Sequence, residues 1–193
     1  MNLVIEKYEK DVDLIYLFVN KNSSGFYPRF GFKPVQESRF SLKVRDSIGN
    51  MDWIKLDISK PGYLELLTKL SSKRLPISGT FGVLNGQGIL HWYCINLFHD
   101  DLYYLPDLEI IVLFKIDNNT LLVYDIISEK DFSIQNIIGR IAGKNILEAA
   151  FYFTPDDKNI QYQIRHFEAD ETLMVRSKLT LPETFKYPIT AQA

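Results

Sequence analysis

Residues 12–19, VDLIYLFV, form an almost unbroken apolar run rich in β-branched and aromatic types. Such a run suits a strand covered on both faces better than a half-exposed one, and it predicts a central, parallel strand. Residues 20–24 are polar turn material. Phe26, Tyr27 and Phe30 then crowd aromatic side chains into a short segment, which Gly31 ends by supplying a permissive backbone. Phe32 opens a new strand. Any fold for this chain has to bury the run and turn sharply just after it.

Upstream, residues 1–10 place Leu3, Val4 and Tyr8 at helical spacing between charges, as in the last turns of an amphipathic helix. Downstream, residues 32–44 alternate, with Phe40, Leu42 and Val44 on one face and Arg39, Ser41 and Lys43 on the other. Asp46, Ser47, Gly49 and Asn50 read as a turn. Residues 51–58 alternate again, which predicts an antiparallel hairpin with the preceding strand.

Ser59, Lys60, Pro61 and Gly62 mark a boundary. Residues 63–72 carry Tyr63, Leu64, Leu67 and Leu70 as a helical stripe, with Pro76 beyond it as a stop. Residues 78–88 read as loop with a short extended piece at 81–84. Residues 89–98, ILHWYCINLF, read as a strand, and a second extended piece runs through Tyr103 and Tyr104. Residues 109–116 and 120–127 form a hairpin around the Asx-rich turn Asp117, Asn118 and Asn119. Asp131 or Ser133 can cap a helix in which Ile134, Ile137, Ile138 and Ile141 share one face, and Gly143 closes it. Residues 146–153 are a further apolar strand. Residues 120–153 therefore predict one right-handed β-α-β unit with parallel strands. Residues 160–167 alternate, residues 172–178 can return beside them, and the tail with Pro182 and Pro188 is irregular.

A chain of 193 residues is long enough for a substantial core in one domain or two. A formal net charge of −2 gives no reason to expect nucleic acid or an anionic membrane as a partner. The single Cys94 excludes an internal disulfide and a sulfur-rich metal site, so a reducing cytoplasm is the simplest compartment. No apolar run reaches membrane-spanning length, and Glu6, Glu9 and Asp11 stand where a signal peptide needs an apolar core.

The order of strand, Asn20, short aromatic helix and F-Y-P-R-F-G-F resembles the C-terminal motif of the GNAT superfamily of acetyl-CoA-dependent N-acetyltransferases. The order from residue 59 onward resembles that of a whole GNAT fold. The resemblance implies a mixed α+β protein of two pieces: residues 1–58 as the C-terminal half of a GNAT domain and residues 59–193 as a degenerate GNAT-like domain. It implies acetyl transfer from acetyl-CoA to a primary amine on a small molecule or peptide. It also implies Tyr27 as the acid that protonates the coenzyme A thiolate, and Asn20 and Phe26 near the cofactor. Read from the residues alone, Tyr27 is equally an amphipathic packing residue and Asn20 a turn residue.

Two features bear on whether that chemistry is complete. For residues 1–58, the strand and the Q/R-x-x-G-x-G/A pyrophosphate loop of the family are expected upstream of Met1. For residues 59–193, the loop falls at 128–133, S-E-K-D-F-S, which has no glycine and carries Glu129 and Asp131 where an anion belongs. A non-catalytic scaffold for dimerisation or acceptor recognition is the alternative. The apolar edge expected at residues 12–19 predicts a homo-oligomer. His99, Asp100 and Asp101 read as a solvated turn, Cys94 as a small buried hydrophobe, and Glu148 as a carboxylate that either finds a partner or faces solvent.

Overall fold

The computed structural model describes residues 1–44 and 52–192. The turn expected at Asp46, Ser47, Gly49 and Asn50, and Met51, lie outside the described residues. The protein is a mixed α+β fold with two sheets and flanking helices. The elements in chain order are α1 (Asn2–Tyr8), β1 (Leu14–Asn20), β2 (Lys33–Val35), β3 (Ser38–Lys43), β4 (Ile54–Lys55), α2 (Pro61–Ser72) and α3 (Gln87–Asn96). They continue with β5 (Leu102–Leu105), β6 (Ile110–Asp117), β7 (Thr120–Ile127), α4 (Ile134–Ile141), β8 (Glu148–Phe151), β9 (Gln163–His166) and β10 (Glu171–Ser177). Among the described residues no helix is long and apolar enough to cross a membrane.

The large sheet has the order β4-β5-β6-β7-β8-β3-β9, and the small one β1-β10-β2. The β-α-β unit forms as its sequence predicts. β7 and β8 are parallel, with Val123 opposite Phe151, and α4 crosses between them. Ser133 caps α4 by accepting a hydrogen bond from the Asn136 amide, and Ile134, Ile137, Ile138 and Ile141 are all buried. The β6–β7 hairpin turns at Asn118, whose φ of 53° is the left-handed conformation that asparagine tolerates. Phe40, Leu42 and Val44 join the core cluster between α4 and the sheet, as their alternation requires. Cys94 is fully buried among apolar side chains, and burial pushes its thiol up. Glu148 is half-buried at the start of β8, opposite Lys43 of β3.

Four expectations are corrected. Residues 89–98 lie largely in helix α3 and not in a strand. Leu90, Cys94 and Phe98 are buried at a spacing of four, while Trp92, Ile95 and Leu97 remain exposed. The stretch is apolar at almost every position, so it carries no period from which helix could be told from strand.

The apolar run at 12–19 forms β1, which is an edge strand paired antiparallel to β10, not a central parallel one. Both of its faces are nonetheless covered. Ile15, Leu17 and Val19 pack with Ile5, Phe32 and Met174, and Leu14 and Phe18 with Leu173, Val175 and Phe185. This double coverage explains the absence of alternation.

The hairpin expected between residues 32–44 and 51–58 is absent among the described residues. β3 pairs with β8 and β9, and β4 pairs with β5 at the opposite edge of the sheet. The hairpin expected between residues 160–167 and 172–178 is likewise replaced, with β9 beside β3 and β10 between β1 and β2. One exchange explains both. β3 leaves the early strands to complete the large sheet beside β8, and β10 returns from the far end of the chain to hold β1 and β2 together. Alternation within a strand records which face is buried but not which edge is paired.

Candidate functional site

The aromatic turn after β1 is built from local rules. The Asn20 side chain accepts from the Ser23 amide at 3.2 Å and caps the 3-10 turn Lys21–Ser23. A second 3-10 turn, Tyr27–Phe30, ends at Gly31, whose φ is 78°. A Cβ at Gly31 would collide with the Arg176 guanidinium, which is held by the Glu9 carboxylate and donates to the Phe30 carbonyl at 2.7 Å. Glycine is favoured there by its left-handed conformation, while the close approach is to the far end of a flexible side chain.

Tyr27 is half-buried, edge-on to Phe26 at 5.3 Å and to Phe32 at 6.1 Å. Phe26 is itself exposed. The structure thus brings Tyr27 and Phe26 together in one aromatic cluster, fixes the Tyr27 ring against the core, and occupies Asn20 as a helix cap.

The expected phosphate loop at 128–133 closes on itself. Ser128 Oγ accepts from the Lys130 amide at 3.1 Å and donates to the Lys130 carbonyl at 2.7 Å. Ser133 is taken up by the α4 cap. Lys130 Nζ pairs with Glu109 at 2.7 Å, at the surface. Glu129 is half-buried, and its Oε1 has no hydrogen-bond partner. A loop without glycine, with its hydroxyls engaged and a half-buried carboxylate alongside, does not fit a pyrophosphate.

The polar centre of the molecule lies where β7 and β8 part company. Past Val123 the two strands are no longer paired, and the C-terminal residues 185–191 cross the end of the sheet there. The Ser38 amide donates to the Phe185 carbonyl at 2.7 Å, the Lys186 amide to Thr154 Oγ1 at 2.8 Å, and the Ile189 amide to the Tyr152 carbonyl at 3.0 Å. Thr190 Oγ1 donates to Asp125 on β7.

Asp125 is buried and also accepts a two-pronged bond from Arg74, at 2.9 and 2.7 Å. A polar cavity of 250 Å³ opens beside this pair, lined by Ser71, Ser72, Asn85, Gln87 and Thr190 among others. A second buried pair holds the same tail: Glu37 Oε1 accepts from Lys186 Nζ and from the Tyr187 amide, each at 2.8 Å. None of Arg74, Asp125, Glu37, Lys186 or Thr190 was expected as a site residue. Asp125, a charge inside the strand sequence TLLVYDII, carries the one sequence signal that could have found them.

Near the cavity, Ser71 Oγ lies 2.8 Å from His91 Nε2. Ser71 donates to the Thr68 carbonyl at 3.2 Å and accepts from Gln87 Nε2 at 3.1 Å. The direction of the contact between His91 and Ser71 follows the tautomer: a neutral ring protonated at Nε2 donates to Ser71, and one protonated at Nδ1 accepts from Ser71 in place of the Thr68 carbonyl. Burial holds the His91 pKa below its ordinary value. The native protein therefore resists protonating it. The stability this confers is complete above about pH 6.5, the unperturbed value, and is lost as pH falls through the lowered native pKa. The melting temperature of the wild-type protein is expected to fall more steeply between neutral pH and mildly acid pH than that of His91→Gln. Parallel curves would show that His91 does not titrate against the fold.

No family model matches the chain, and no curated protein matches it. Solved structures do. A conserved protein of unknown function from Enterococcus faecalis V583, a "Probable N-Acyltransferase", is 13% identical with a TM-score of 0.49, over 91% of this chain and 48% of that one. A GCN5-related N-acetyltransferase from Kribbella flavida is 14% identical with a TM-score of 0.48, over 91% and 46%. Another from Sphaerobacter thermophilus is 9% identical with a TM-score of 0.38, over 85% and 59%. The chain spans about half the length of the first two.

Proposed function

We propose that this is a GNAT-type N-acyltransferase polypeptide in which residues 59–193 serve as a non-catalytic scaffold. In this reading residues 1–58 are the C-terminal half of a GNAT domain that lends β3 and β4 to the large sheet, while the second module lends β10 to the small one. The element order α2-α3-β5-β6-β7-α4-β8 supports the family reading for the second module. The observation that carries the scaffold role is the course of residues 185–191. They are bonded to both β7 and the chain after β8, across the place beyond Val123 where the resemblance would put the arm of acetyl-CoA. The self-closed, acidic loop at 128–133 removes the other half of a cofactor site.

Tyr27, Asn20 and Phe26 remain the residues that tie the first module to acetyl transfer. The half-buried Tyr27 ring suits a held acid, whereas the capping role of Asn20 suits a turn. The acceptor belongs to the class of primary amines by the same resemblance.

The test is titration calorimetry of acetyl-CoA into the intact chain. No saturable heat is expected up to millimolar cofactor. Saturable micromolar binding, retained when Tyr27 is changed to Phe but weakened by added bulk at Thr190, would place the cofactor in the second module and overturn the scaffold reading.

A further inference from the structure

Among the described residues the edge of β1 away from β10 is unpaired, and it is self-complementary. The Asp13 carbonyl accepts from the Lys178 amide, so the odd-numbered residues of β1 exchange hydrogen bonds with β10. The amides and carbonyls of Leu14, Tyr16, Phe18 and Asn20 therefore point away from β10, and among the described residues β10 is the only strand paired with β1. Leu14–Val19 contains no lysine, proline or bulge, the usual devices that keep an edge from pairing.

The order of residues about Leu17 reads nearly the same in both directions. In an antiparallel pair of two copies centred there, Tyr16 meets Phe18, Ile15 meets Val19 and Leu14 meets Asn20. Asp13 comes opposite position 21. This register also places every outward-facing amide opposite an outward-facing carbonyl, since 14 pairs with 20 and 16 with 18. The apolar residues of each face continue onto the same face of the second copy, so neither face gains a buried charge.

We propose that β1 is the contact of a closed homodimer, in which the small sheet runs as one antiparallel sheet of six strands through two copies. The occupant of the edge is a second copy of this chain, since backbone polarity and apolar faces both satisfy one two-fold register at once. This inference is independent of the acyl-transfer reading.

Light scattering after size exclusion is expected to give twice the 22.4 kDa of the chain at micromolar concentration. Tyr16→Pro, which removes an outward amide and leaves the bonds to β10 intact, is expected to halve that mass. Tyr16→Pro also removes the hydroxyl that accepts from Tyr187 at 2.6 Å. A second measurement therefore avoids that residue. Leu17→Cys is expected to cross-link under mild oxidant, because opposite residues of a non-hydrogen-bonded pair stand about 4.5 Å apart between Cα atoms, within disulfide reach. Asp13→Cys is expected not to cross-link, since it faces position 21. The buried Cys94 does not compete. Monomer mass throughout, open-ended aggregates, a co-purifying second polypeptide, a dimer that survives Tyr16→Pro, or equal cross-linking at 13 and 17 would each overturn the proposal.

Discussion

Replacing Asp125 with alanine is expected to remove about 3–5 kcal/mol of folding stability, the cost of leaving a buried ionic partner uncompensated. Asp125 is 1% exposed and accepts from both terminal nitrogens of Arg74, from the Ile126 amide and from Thr190. Its removal strands the guanidinium, the Thr190 hydroxyl and a backbone amide in one step. In a chain of this length that loss corresponds to a fall in melting temperature of roughly 10 °C. Thr190→Ala deletes a single hydrogen bond and should cost about 1 kcal/mol. The double variant Arg74→Met/Asp125→Leu should recover most of the loss, since an apolar pair of similar volume avoids desolvating two charges. Urea unfolding of the three variants decides the matter. A cost below about 1 kcal/mol for Asp125→Ala would mean that the bonds from Asp125 to Arg74 and Thr190 are not what holds the C-terminal crossing.

The second large effect is expected at Lys186. Its ammonium is buried against Glu37 at 2.8 Å and lies over the Phe167 ring, 4.3 Å from the centroid. Lys186→Met leaves the Glu37 carboxylate buried with only the Tyr187 amide as a donor, and should cost about 3–5 kcal/mol. Adding Glu37→Gln should return part of it.

The pair also has a pH signature. Burial holds the Lys186 pKa below its ordinary value, with the Glu37 charge opposing the shift. The unfolded chain then binds the proton more tightly than the native one in the interval between the lowered pKa and about 10.4, the ordinary lysine value. Stability rises with pH across that interval and is lost as pH falls through the native pKa. The urea midpoint of the wild-type protein should therefore rise toward alkaline pH relative to that of the Lys186→Met/Glu37→Gln variant, which lacks the titrating amine. A constant difference between the two would show that the lysine keeps its proton throughout.

Both effects arise in the C-terminal tail, which the sequence marks only as irregular and proline-bearing. Phe185, Lys186, Tyr187, Thr190 and Ala191 are all buried, although no periodicity announces it. A segment that crosses strand ends without joining a ladder has no regular alternation to display, and its partners lie far away in sequence: Glu37 for Lys186, and Asp125 for Thr190.

What the sequence determined by itself is the set of features that depend on near neighbours. Asp131 or Ser133 ahead of four isoleucines at helical spacing marked α4, the Asx-rich run Asp117, Asn118 and Asn119 marked the β6–β7 turn, and Gly31 marked the end of the aromatic segment. The resemblance carried by F-Y-P-R-F-G-F led to the α+β class. What only the tertiary structure decided is which edge each strand joins, that residues 87–96 are helical, and where the buried charges lie. The exchange of β3 and β10 between the sheets is the clearest case. A strand's side chains fix which of its faces is buried, but its backbone edges are chemically alike in every sequence. Pairing is therefore settled by which other edges remain open once the whole chain has collapsed.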